Sequence, residues 1–350
     1  MQCEIIFLLL FTVCPNNINE MTMLDKEITN INLTASTKPL LIIVTGPTAV
    51  GKTAVSVQLA KKINGEIISA DSMQVYRHMD IGTAKVTKEE MCGVPHYMID
   101  EYEPDEEFDV TVFKTKAREY ISKITSDGKI PIIAGGTGFY IQSVLYDVAF
   151  EDYSEEEKQK LHEELTSELE KKGPDAMFEM LKEVDSEYAG IIHKNNIRRV
   201  LHGIEFYRLT GKKLSKHNEE QHENESPYNF LYFVIRDERD RLYDRINKRV
   251  DKMLEEGLVD EVKALMDKGL SRELPSMLGL GYKEIADYLS GECSLEEAVE
   301  LIKRDTRHFA KKQMTWFKRE RNVIYIDRND KNNESIVDEI ILKIKGYLGE

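Results

Sequence analysis

Short runs of consecutive apolar residues alternate along this chain with stretches where apolar positions recur every three or four residues. Leu40–Val44, Ile130–Ala134 and Phe230–Ile235 are unbroken apolar runs, and Glu66–Ser69 is a shorter strand-like stretch around Ile67 and Ile68. Such runs predict strands buried on both faces. Val55, Leu59 and Ile63 follow the first run at helical spacing. Val112, Phe113, Ala117, Tyr120, Ile121 and Ile124 do the same between the second and third. A further helix is predicted from about Asp237 through Leu254, ended by Gly257, with another beginning over Leu258–Met266. Strands alternating with helices predict an α/β core with a parallel sheet.

The pattern changes between Glu151 and about Glu183. This segment is dense in Glu and Lys, with Leu161, Leu165, Leu169, Phe178 and Leu181 at helical intervals, and Gly173-Pro174 breaks it in two. Another helix begins within Ile191–Val200 and runs to Gly211. The expected organisation is a helical insertion over 141–210 in a core built from 39–140 and 211–350, with His217–Tyr228 as a polar linker into the last long strand. Residues 1–38 are expected to form a poorly structured extension. The apolar run Ile5–Val13 within it has no Lys or Arg before it and no small-residue cleavage site, and it is too short to span a bilayer. A membrane-targeting segment is the competing reading of those residues.

The first strand runs straight into Gly46, Pro47, Thr48, Ala49, Val50, Gly51, Lys52 and Thr53, a complete G-x-x-x-x-G-K-[ST] match followed by a helical pattern. The glycines let backbone N–H groups turn inward toward an anion, the helix N-terminus faces the same point, Lys52 adds a cation, and the Thr53 hydroxyl is placed to hold Mg2+. The fold class is therefore α/β, a P-loop NTPase-like parallel sheet flanked by helices with a helical insertion. The motif implies a phosphate or diphosphate ligand and leaves the reaction open.

Two other strand ends carry candidate chemistry. Asp71 follows the second strand, where doubly wound folds place functional groups, although an aspartate there also suits a helix cap. Gly135-Gly136-Thr137-Gly138 follows the third. Many P-loop ATPases have an aspartate supporting Mg2+ at such an end; the glycines here favour close backbone approach to a ligand instead, with a plain tight turn as the alternative. Arg239 and Arg245 suit bidentate contact with a diphosphate, or ordinary ion pairs on a helix surface.

The 350-residue chain has net charge −15, so contact with nucleic acid must come from local basic patches. Lys303–Arg321 is such a patch: eight Lys and Arg against Asp305 and Glu320 leave +6, with Trp316, the only tryptophan, and Phe317 inside it. Cations interleaved with aromatics suit single-stranded nucleic acid, and a solvated helix face is the plainer reading. Four scattered cysteines without metal or disulfide spacing fit a reduced cytoplasmic protein.

Taken together, GPTAVGKT (46–53), SADSMQVY (69–76), MDIGTAK (79–85), PHYMID (95–100), IAGGTGFY (133–140), LPSMLGLGYKEI (274–285) and RHFAKKQMTWFKR (307–319) resemble, in order, the tRNA dimethylallyltransferase (tRNA isopentenyltransferase) family of bacterial type. The resemblance covers about Leu40 to Asp327. It implies transfer of a dimethylallyl group from dimethylallyl diphosphate to N6 of the adenine immediately 3′ of the anticodon, with Mg2+ as cofactor. The P-loop then binds the donor's diphosphate, helped by Lys52 and Arg239. Asp71 is the implied proton acceptor, and Thr137 lies on the tRNA side of the reaction channel. Contacts to the anticodon stem-loop carry over to Asp71, Ser72, Met73 and Gln74; to Arg198, Arg199, Val200, Leu201 and His202; to Leu278, Gly279, Leu280, Gly281, Tyr282 and Lys283; and to Lys311, Lys312, Gln313, Met314, Thr315, Trp316, Phe317 and Lys318. Leu278 is a departure, being apolar where some members are basic. A monomer without stable membrane association is expected. The alternatives are an isopentenyltransferase acting on free adenine nucleotides, a small-molecule P-loop kinase, and a non-enzymatic RNA-binding protein.

Overall fold

The computed structural model describes residues 38–147 and 155–349. Apart from Lys38, the expected N-terminal extension lies outside them. In chain order the elements are β1 (Leu40–Thr45), α1 (Lys52–Ile63), β2 (Gly65–Ala70), α2 (Lys88–Met91), β3 (His96–Tyr97), α3 (Val110–Ser126), β4 (Ile130–Gly135) and α4 (Gly138–Leu145). They continue with α5 (Glu155–Val184), α6 (Ser186–Ile191), α7 (Ile197–Thr210), α8 (Leu214–Glu223), β5 (Asn229–Arg236), α9 (Arg239–Glu255) and α10 (Leu258–Asp267). The last are α11 (Tyr282–Leu289), α12 (Leu295–Phe317), β6 (Val323–Asp327) and α13 (Asn333–Leu348). The chain divides into two compact units, one running to Ile141 and resuming at Tyr228, the other Gln142–Pro227.

The first unit is organised around one sheet of order β3-β2-β4-β1-β5-β6, parallel at every pairing. Leu40, Ile42 and Val44 pack with Val55, Leu59 and Ile63 of α1 and with Ile336, Ile340 and Ile344 of α13. The alternate residues Leu41 and Ile43 are also fully buried. Both faces are covered, which is why these strands read as unbroken apolar runs rather than as alternating ones. Among the described residues no helix is long and apolar enough to cross a membrane.

The second unit has its own core, with Leu165, Met177 and Leu181 of α5 against Val200, Leu201 and Ile204 of α7. Gly203 lets the two helices close up, since a Cβ there would lie 2.7 Å from the Leu181 Cδ1. Gly173, at φ 79°, is the predicted break within α5. The unit extends past Thr210 to Pro227 because α8 belongs to it: Leu214 enters the core, and the supposed polar linker is helical through Glu223. Asp185 anchors that helix. Its buried carboxylate accepts hydrogen bonds from the Ser215 amide (2.8 Å), the Ser215 hydroxyl (2.7 Å) and the Tyr188 amide (3.0 Å). Burial works to raise its pKa, and these donors outweigh that and hold it below the ordinary carboxylate range. Asp185→Ala strands buried donors and should cost about 2 kcal/mol, read as a lower urea midpoint for this unit; an unchanged midpoint would mean that α8 is held by Leu214 alone.

Candidate active site

Parallel pairing gathers the strand ends on one edge of the sheet. Gly135 is in register with both Thr45 and Ala70, so β1, β2 and β4 end at the same level. The Thr45 hydroxyl donates to the Gly135 carbonyl at 2.6 Å, fixing that level. The phosphate loop, Asp71 and Gly136-Thr137 therefore leave the sheet side by side. Asp237 and Arg328 leave the neighbouring ends of β5 and β6, where Arg236 and Asp327 are in register.

The phosphate loop has the backbone that its glycines require. Gly46 has φ 147°, and a Cβ on it would lie 2.2 Å from the Ile235 carbonyl; Gly51, at φ 91°, leads into α1. Val50 is fully buried beneath the loop. Arg328 braces it from outside, donating from Nη1 to the Val50 carbonyl at 2.7 Å. Lys52 donates from Nζ to the Pro47 carbonyl at 2.9 Å, folding its ammonium back over the loop. Loss of water around it pushes the Lys52 pKa down to about 8; nearby Asp71 raises it and nearby Arg249 lowers it. The Thr53 hydroxyl, on the exposed first turn of α1, has no hydrogen-bond partner among the described residues.

Asp71 uses Oδ1 to accept the Met73 N–H at 3.0 Å, forming a turn that presents the carboxylate. Its other oxygen has no hydrogen-bond partner among the described residues. Thr137 is set beside it, donating its N–H to the Ala70 carbonyl at 3.1 Å, while its own carbonyl accepts from Tyr140 at the start of α4. The close approach at the glycines is to the protein itself: a Cβ at Gly135 would meet the Ala70 carbonyl, at Gly136 the Gln313 amide and at Gly138 the Trp316 ring, each within 2.3 Å. Arg249 of α9 is the cation that sequence reading passed over. Burial depresses its pKa, Asp71 works to raise it, and it donates to the Thr83 carbonyl at 3.4 Å. Only a helical period, shared with many surface arginines, marks it in the sequence.

A second set of contacts ties the following loops to this edge. Glu261 accepts the backbone N–H groups of Asp80, Ile81 and Gly82 at 2.9, 2.8 and 3.1 Å, and the buried Tyr282 donates its hydroxyl to the same carboxylate at 2.6 Å. Gln74 reaches into the loop and donates to the Thr83 and Ala84 carbonyls. Met73 lies over Gly279, where a Cβ would come 2.4 Å from its methyl carbon. The Asp71–Gln74 and Leu278–Lys283 segments are thus neighbours, with Leu278 and Lys283 exposed. Lys85 proves structural, buried against Asp80, Asp100 and the Tyr76 carbonyl.

The basic segment is the second half of α12 and the turn after it. Lys303 and Arg304 are spent on Asp251 and Asp305, while Lys311, Lys312 and Lys318 are exposed without an ion-pair partner among the described residues. Burial pushes the Glu320 carboxyl up to about 7, so it is only partly ionised at neutral pH. Gln313 and Phe317 are buried, Met314 and Trp316 half-buried and Thr315 exposed. In the second unit Val200 and Leu201 are core residues, and Arg198, Arg199 and His202 are exposed. Arg239 lies over the Tyr243 ring at 5.1 Å, exposed and without a contact to the phosphate loop; Arg245 pairs with the buried Asp237 instead.

Fold and site together define a P-loop α/β protein whose anion-binding loop faces a carboxylate along one sheet edge, the apparatus of an enzyme that uses a phosphorylated donor. A family model described as IPP transferase matches residues 74–320, and the chain belongs to that family. It is 59% identical over 303 residues to a tRNA dimethylallyltransferase of Lachnoclostridium phytofermentans, covering 86% of this chain and 96% of that protein. It is 49% identical over 308 residues to one of Acetivibrio thermocellus, covering 88% and 97%. Its fold matches the crystal structure of a Staphylococcus epidermidis tRNA delta(2)-isopentenylpyrophosphate transferase at TM-score 0.66 and 48% identity, covering 89% and 100% of the two chains. A eukaryotic dimethylallyltransferase acting on tRNA matches at TM-score 0.70 and 31% identity, covering 83% and 74%.

The depressed Lys52 pKa has a measurable consequence. A bound anion favours the charged ammonium and raises that pKa, so affinity should be flat below the unbound value and fall as pH rises above about 8. Calorimetric titration with an alkyl diphosphate, itself fully ionised there, should also show proton uptake near that pH. Affinity that does not change across this range would remove Lys52 as a titrating contact.

Proposed function

We propose that this chain transfers the dimethylallyl group of dimethylallyl diphosphate to N6 of the adenine immediately 3′ of the anticodon in tRNA, releasing diphosphate. The observation that carries the reading is the juxtaposition of Lys52 and Asp71, near enough that the carboxylate acts to raise the Lys52 pKa, with one Asp71 oxygen unengaged among the described residues. The phosphate loop and Lys52 hold the diphosphate and stabilise the charge that develops as the carbon–oxygen bond breaks. Arg249 adds a second half-buried cation beside them. N6 forms the new bond to the allylic carbon and surrenders a proton, for which Asp71 is the acceptor. An adenine must leave its stack to reach this edge, and Thr137 stands where the flipped base enters.

The donor set suits a Mg2+ ion brought in with the diphosphate. Thr53 offers an unengaged hydroxyl, and among the described residues no group of three or more His, Cys, Asp or Glu is gathered to hold a resident ion. Such an ion supplies charge neutralisation to the leaving group. The exposed Lys311, Lys312 and Lys318, with Lys283 and the half-buried Trp316, support an electrostatic seat for the anticodon stem-loop on the first unit. Arg198, Arg199 and His202 are the corresponding exposed groups of the second. The enzyme on this reading works in the cytoplasm as a monomer.

Labelled dimethylallyl diphosphate offered with tRNA or with AMP tests the reading directly: label should enter tRNA only. Label in AMP would make this a free-nucleotide transferase, and phosphate transfer from ATP a kinase. Asp71→Asn should slow single-turnover transfer about 10²–10⁴-fold with both substrates saturating, because the amide can orient N6 but cannot take its proton. A loss under about threefold would leave Asp71 with only its turn. Binding of tRNA should weaken steeply with salt, and neutralising Lys311, Lys312 or Lys318 should each lower the log–log slope by about one. Binding that ignores salt would exclude α12 as an electrostatic seat.

A further inference from the structure

Gln313 sits within the basic segment of α12, yet it faces the protein interior. Its side chain is buried and both ends are engaged. Nε2 donates to the Gly136 carbonyl at 3.0 Å, and Oε1 accepts the Thr48 N–H at 2.9 Å. One side chain thus bridges the phosphate loop to the loop that carries Thr137. The amide lies close against the loop: a Cβ at Gly136 would lie 2.3 Å from Nε2. Ala310 and Phe317, three residues before and four after, are buried on the same helical face, while Lys311 and Lys312 point outward.

We propose that Gln313 is a positioning residue that sets the separation of the phosphate loop from the Gly136-Thr137 loop and thereby the affinity for the donor's diphosphate. It acts through the Thr48 amide, whose N–H it occupies, so that the loop's remaining N–H groups keep their inward direction. The proposal rests on the reading that this loop binds the donor's diphosphate. It also reassigns Gln313 from a contact with RNA to a bridge between the two loops that flank the reacting atoms.

The test uses Gln313→Met, which keeps volume and loses both hydrogen bonds, and Gln313→Glu, which keeps the acceptor for Thr48 and loses the donor to Gly136. Calorimetry with inorganic diphosphate, without RNA, should show about a tenfold weaker Kd for Gln313→Met, the scale of one or two net hydrogen bonds, and a loss at least as large for Gln313→Glu, whose carboxylate opposes the Gly136 carbonyl and the anion. The Kd for an anticodon stem-loop should stay within twofold, and in turnover the loss should appear in the donor KM more than in kcat. Gly136→Ala, whose methyl displaces the amide, should reproduce this pattern. If Gln313→Met does not fold, the other two variants carry the comparison. Unchanged diphosphate affinity would overturn the proposal, whether the defect appears in RNA affinity, as direct contact requires, or only in the melting temperature. A wild-type protein that binds diphosphate but prenylates no tRNA would sink the functional reading and leave the diphosphate comparison intact.

Discussion

The whole site depends on three strands ending level. Gly135 pairs with Thr45 on one side and with Ala70 on the other, and it must be glycine, because a Cβ would lie 2.2 Å from the Ala70 carbonyl. A slip of one residue in either pairing would move a loop by about 3.3 Å and turn its side chains to the opposite face of the sheet. The level edge turns groups far apart in the chain into neighbours. Lys52, Asp71 and Thr137 each belong to a different strand–loop junction, and none of their positions is adjustable without the others.

Charge is the second constraint. Lys52 and Arg249 are both stripped of much of their water, and Asp71 is the carboxylate that acts on both. The two cations thus share Asp71, with Glu90 acting on Arg249 besides. Burying charge is unfavourable unless a partner compensates it, so two part-buried cations sharing one carboxylate are poised for an anion. The price of that poise is visible in the depressed pKa values of both cations.

Much of this was legible in the sequence because it is contiguous there. The phosphate loop is a local motif that needs only the strand before and the helix after it. Asp71 could be singled out because it follows a short apolar run, and the break at Gly173-Pro174 because glycine and proline punctuate helices. What escaped detection depends on tertiary contact. Arg249 is one of many arginines on a helical pattern until the fold turns it toward Asp71. Gln313 lies among cations and reads as one more surface residue, and only the packed helix shows its amide between two loops. The glycines at 136 and 138 suggested approach to a ligand, when the neighbours they admit are Gln313 and Trp316. The second unit ran further than expected for the same kind of reason, since Leu214 and Ser215 look like linker until Leu214 meets the core and Ser215 meets Asp185.

The packing of Trp316 on Gly138 also gives the molecule an optical handle. A single indole produces all of the tryptophan emission of the chain. Its ring lies where a Cβ on Gly138 would be 2.2 Å away, and it meets Phe139 edge-on with centroids 6.1 Å apart. Phe139 follows Gly138 on α4, directly after Thr137. Any shift of that loop alters the surroundings of the one fluorophore, so its wavelength and lifetime follow the acceptor side of the site in solution, without an added label.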